Sequence, residues 1–147
     1  MRIKLAIAVL ISTLTLTACG GTGVEAPTRN INQVTDGVDG TINENGNLIY
    51  LRNVQISLAA NGDATLIGTI INENDTKDAL ISISVNGATS NVNYPLVQNK
   101  PVIFGGDSAN ATLTIPASKL VAGNRIPINF FFGVAGETSL DALVVGA

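Results

Sequence analysis

The chain has 147 residues, with 8 lysines and arginines against 11 acids, a net charge of −3, no histidine and no tryptophan. Without imidazole there is no Ser-His-Asp or Cys-His relay, no ordinary general base poised near neutral pH and no nitrogen ligand for zinc. An acidic chain without a basic cluster argues against nucleic acid as a partner, and the single cysteine, Cys19, allows no disulfide within one chain.

Arg2 and Lys4 precede a run from Leu5 to Leu16 that is apolar apart from Ser12, Thr13 and Thr15. The run is short of the ~20 residues needed to span a bilayer. A charged start, an apolar middle and a small-residue end make an export signal. It ends in Leu16-Thr17-Ala18-Cys19, followed by Gly20 and Gly21, the pattern of a bacterial lipobox. The pattern predicts that diacylglycerol is attached to the Cys19 sulfur and that signal peptidase II then cuts before Cys19. Residues 1–18 are thus expected to be a signal peptide, 19–29 a lipidated tether and 30–147 the folded domain. The protein is expected on the outer face of the cell membrane, held there by lipid. Each buried methylene contributes ~0.8 kcal/mol, and two acyl chains make a stable anchor where one is marginal. Without Arg2 and Lys4, 6 basic and 11 acidic side chains remain, a net charge of −5.

Gly20 to Arg29 is rich in Gly and Thr, contains Pro27 and shows no apolar period, as a spacer requires. Leu48 to Leu58 is the first strong strand, with Val54, Ile56 and Leu58 expected on one face. Asn61-Gly62-Asp63 signals a hairpin turn. The chain returns over Ala64 to Asn72, with Leu66, Gly68 and Ile70 together. Leu80 to Val85 sets Leu80, Ser82 and Ser84 against Ile81, Ile83 and Val85, the pattern of a half-buried strand, and Asn86-Gly87 turns it. Asn91–Val97 and Pro101–Phe104 are weaker strands. Pro95 and Pro101 cannot donate an amide hydrogen bond and so place them at edges or bends. Gly105-Gly106-Asp107 reads as a turn, Ala111–Ile115 as a strand and Ser118–Ala122 as one helical turn. Ile126 to Val134 is the most apolar strand, with Ile128, Phe130 and Phe132 on one face, and Ser139 to Val145 closes the chain. Short strands at this spacing, with almost no helical signal, predict an all-β, Greek-key β-sandwich, cupredoxin-like or immunoglobulin-like. Its core is expected to contain Ile56, Ile70, Ile83, Leu113, Phe130 and Phe132.

No catalytic constellation, phosphate-binding loop or dinucleotide fingerprint is present, so the chain is expected not to be an enzyme and to need no cofactor. The acids sit mainly in turns beside Asn and Gly. The densest polar segment runs from Asn72 to Asp78 and includes Glu73 and Asp75. Its oxygens suit calcium, but the spacing is not that of an EF-hand and Lys77 lies inside it, so a solvated loop is the plainer reading. Asn74-Asp75-Thr76 and Asn110-Ala111-Thr112 match the N-glycosylation pattern, although asparagine in this chain is mainly turn chemistry.

Leu51-Arg52-Asn53-Val54, Gly68-Thr69-Ile70-Ile71-Asn72, Asp78-Ala79-Leu80, Gly106-Asp107-Ser108, Ile115-Pro116 and Phe132-Gly133-Val134-Ala135-Gly136-Glu137 occur in that order. Together they resemble actinobacterial lipoproteins of the LpqE kind, over most of the chain from about Asn30 onward. Those lipoproteins are related to PCu(A)C-type periplasmic copper chaperones, which hold Cu(I) with two histidines and two methionines in a cupredoxin-like sandwich. The resemblance implies that fold and a copper-chaperone ancestry. The stretch after Asn86 and the Gly105-Gly106 turn, where it implies metal ligands, carries Asn, Thr, Ser and Asp instead. The expectation is therefore an exported lipoprotein with a non-catalytic binding domain and no metal site. Its partners would be the membrane, through Cys19, and an envelope protein or ligand. The alternative is copper handling with non-standard ligands.

Overall fold

The computed structural model describes residues 36–44, 46–115 and 119–147, which fall within one unit, Gln33–Ala147. The signal segment, the lipobox, Cys19 and the tether lie outside the described residues. Eight strands form: β1 (Val38–Glu44), β2 (Asn47–Leu58), β3 (Ala64–Asn72), β4 (Asp78–Val85), β5 (Ala88–Leu96), β6 (Val102–Phe104), β7 (Arg125–Phe132) and β8 (Glu137–Gly146). Among the described residues there is no helix.

The strands follow from apolar alternation. β3 buries Ala64, Leu66, Gly68, Ile70 and Asn72 and leaves every residue between them partly exposed, the two-residue period of a pleated strand. β7 buries Ile128, Phe130 and Phe132 in the same way. Between β4 and β5, Asn86 and Gly87 both take positive φ, 49° and 79°, as a two-residue hairpin of type I′ requires.

The strand order is β5-β4-β7-β8-β2-β3-β6, with β1 added on β2. One edge of β2 is shared. β1 lies antiparallel along its first part, and β8 runs parallel to Gln55–Leu58. The buried side chains of β2, β3, β4, β7 and β8 belong to one apolar cluster. The sheet therefore curls until its two halves face each other across a common core, and an all-β sandwich results. β5 and β6 are the outer strands of the order. Tyr94 of β5 stacks edge-on against Phe104 of β6, with ring centroids 5.2 Å apart, and its hydroxyl donates to the Thr112 carbonyl. These contacts draw the two outer strands together. All six residues expected in the core are buried.

Several local expectations are corrected. Leu80, Ile83 and Val85 share the buried side of β4, because the register slips between Leu80 and Ser82 and turns Ile81 outward, 45% exposed. A second slip, between Arg52 and Gln55 of β2, places Leu51 and Val54 both inside, with Asn53 at φ 52° between them. Leu58 is half-buried at the core margin. Ala111–Ile115 is not a full strand: it makes isolated bridges from Ala111 to Phe104 and from Thr114 to Thr65, which still bury Leu113 and Ile115. Of the expected helical turn, Ser118 lies outside the described residues and Lys119–Ala122 form no helix. β1, for which no strand was assigned, pairs with β2 through the turn at Gly46, φ 80°.

Candidate functional site

The segment Asn72–Asp78 is a solvated loop, with Glu73, Asp75, Thr76 and Lys77 exposed, that is pinned by hydrogen bonds at both ends. Asn72 is fully buried. Its side-chain amide donates to the carbonyls of Thr76 and Leu96, at 2.9 and 3.0 Å, and its Oδ1 accepts from the Asn74 backbone and side chain, at 3.0 and 2.8 Å. Asn74 Oδ1 accepts in turn from the Leu48 amide at 2.8 Å. Asp78, 8% exposed, accepts from the backbone amides of Val134 and Ala135, at 2.8 and 2.9 Å. The side-chain oxygens of Asn72, Asn74 and Asp78 are thus engaged by the protein, whereas Glu73 and Asp75 are exposed. Among the described residues no three His, Cys, Asp or Glu side chains lie close enough to share a metal ion, and no buried side-chain nitrogen or oxygen lacks a partner.

The turns where metal ligands were expected are built for shape. Asn86 and Gly87 close the β4–β5 hairpin. Gly105 and Gly106 turn the chain out of β6 at φ 74° and 79°, and Asp107 and Ser108 beyond them are exposed. Asn110 then holds the loop against β6: its Oδ1 accepts from the Ile103 amide at 2.8 Å and its Nδ2 donates to Pro101 at 3.0 Å. The two glycosylation-like asparagines, Asn74 and Asn110, therefore have their side-chain amides committed to internal hydrogen bonds.

A different end of the sandwich carries the concave surface. The pairing registers bring Glu44 and Asn47 of the β1–β2 turn and the Gly133–Gly136 turn of β7–β8 to one end, opposite Asn86-Gly87. A groove of about 560 Å³ lies there, with Glu44, Asn47, Val134 and Glu137 in its walls. An adjoining depression of about 410 Å³ shares Glu137 and Thr138 and extends to Phe131. No lysine or arginine lines either one. Sequence reading missed this surface because its residues come from turns distant in the chain. The Gly136-Glu137 pair was its only linear signal.

The architecture defines a cupredoxin-like β-sandwich. No family model matches the chain, and no curated protein does. Solved structures do. The copper-bound PCuAC domain from PmoF2 superposes with a TM-score of 0.57 at 20% identity, over 74% of this chain and 98% of that domain. The apo PCuAC domain of PmoF2 gives 0.56 at 19% identity, over 67% and 90%. The apo PCuAC domain from PmoF1 gives 0.53 at 20%, over 67% and 94%. At these identities the likeness establishes a shared fold.

Proposed function

We propose that this chain is an exported lipoprotein, anchored through Cys19 on the outer face of the membrane, whose PCuAC-like sandwich serves as a non-catalytic binding module and no longer as a copper carrier. One observation carries the reading. A chain with a copper-chaperone fold has no histidine, one methionine at position 1 and one cysteine at position 19. Cu(I) is selected by soft sulfur donors and by imidazole. From residue 20 onward there are none, and a Cys19 thioether would leave no thiolate. Carboxylates and amides, such as those of Asp75, Asp78 and Asp107, are hard donors, and Asp78 is already spent on backbone amides.

The test is competition for Cu(I) between a chromogenic chelator and the full chain carrying Cys19→Ser. The chelator is expected to keep its copper. Stoichiometric withdrawal of the ion would establish the alternative, copper handling with non-standard ligands, and would overturn the proposal.

A further inference from the structure

Three large apolar side chains are exposed among the described residues: Ile81 (45%), Val121 (57%) and Val134 (55%). Two of them flank the β7–β8 turn. The slip in β4 turns Ile81 outward, and a Cβ built on Gly133 would lie 4.0 Å from Ile81 Cγ2, so Ile81 abuts the turn that presents Val134. That turn is fixed from below. The Asp78 carboxylate accepts from the amides of Val134 and Ala135, and the Phe132 amide donates to Gly136 at 2.7 Å. A bulge that re-aims one apolar side chain and a carboxylate that fixes the backbone carrying another act on neighbouring positions. β-bulges commonly re-aim side chains at binding sites. A turn whose backbone is already held also lowers the entropy cost of capturing a partner.

The charged side chains that line the two concavities are both acidic. Val134 stands in the wall of the groove beside Glu44 and Glu137. Glu137 also borders the second depression, whose apolar wall is Phe131. Both glutamates are exposed, and no cation lines either concavity. We infer that this end of the sandwich binds a cationic protein segment with an apolar anchor: Val134 and Ile81 receive the apolar side chain, and Glu44 and Glu137 face its lysines or arginines. The inference rests on the reading of the domain as a binding module and gives that module a place and a partner chemistry. The apolar contact supplies most of the affinity, because hot spots are desolvated and central. The exposed glutamates mainly set the association rate and its salt dependence.

The test uses the full chain carrying Cys19→Ser and three fluorescent peptides of equal length: alternating lysine–leucine, its glutamate–leucine counterpart, and alternating lysine–serine. Only the lysine–leucine peptide is expected to bind. Amide shifts in a ¹⁵N spectrum should be confined to residues around 41–47, 81–82 and 131–139. Val134→Ser should weaken binding at least fivefold. Glu44→Gln with Glu137→Gln should weaken it two- to threefold at low salt and flatten its salt dependence. Asp107→Asn, in the turn after β6, should leave it unchanged. Absent binding of the lysine–leucine peptide, equal binding of the lysine–serine peptide or equal weakening by Asp107→Asn would each overturn the inference. These outcomes are independent of the copper competition, so the failure of either reading is distinguishable from failure of the other.

Discussion

Two polar residues are buried among the described residues, Asn72 and Asp78. Asn72 ties β3, the 73–77 loop and the end of β5 with a single side chain, and Asp78 reaches from β4 to the β7–β8 turn. Asn72 satisfies the Leu96 carbonyl in the interior, a group whose orphaning would cost about 1–3 kcal/mol. Among apolar residues Phe130 is the most informative. It is completely buried in β7, paired with Ile83 on one side and Thr138 on the other. Phe130→Ala should lower stability by about 3–5 kcal/mol in a denaturant melt; a loss below about 1 kcal/mol would mean that the ring is not part of the packed core. The six expected core residues were legible from alternation, although Leu80 was not. The roles of Asn72 and Asp78 were not. A buried and a solvated carboxylate look alike in a sequence, and their partners lie 24 and 56 positions away.

At the scale of elements, the two register slips decide what sequence reading could and could not see. Period two is kept on either side of each slip but changes phase across it, so a uniform alternation through Leu80–Val85 assigns Leu80 to the wrong side. The slip in β2 has a counterpart in β3. Gly68, at φ 144°, lies where an added Cβ would come 3.1 Å from the Arg52 carbonyl oxygen and 3.2 Å from Val54 Cα. The displaced backbone of β2 occupies the space that a side chain would need. Gly68→Ala should therefore cost about 1–3 kcal/mol from the strained dihedral, with further loss as β2 is pushed aside, measured as a lower urea midpoint. An unchanged midpoint would show that the slip relaxes freely. β1 escaped notice because only Ile42 of its seven residues is a buried apolar residue. The Ala111–Ile115 segment alternates like a strand, yet its pairing is confined to isolated bridges.

At the scale of the whole molecule, the lipobox and the sandwich make separate claims. Replacing Cys19 with Ser should move the protein from the membrane fraction to the soluble fraction on cell fractionation, because a diacylated anchor buries many methylenes at ~0.8 kcal/mol each. Unchanged membrane association would dispose of the lipid anchor and leave the fold untouched. The fold has its own logic in time. β8 is the last strand in the chain, and it lies between β7 and β2, where Leu143 pairs with Gln55. A chain that emerges amino end first can form the β1–β2–β3 meander and the β4–β5 hairpin early. No strand links the two halves until residues 137–146 arrive, and closing so long a loop is slow. The seam of the sandwich is thus sewn by β8, and cooperative folding of these strands waits for residues 137–146 to emerge.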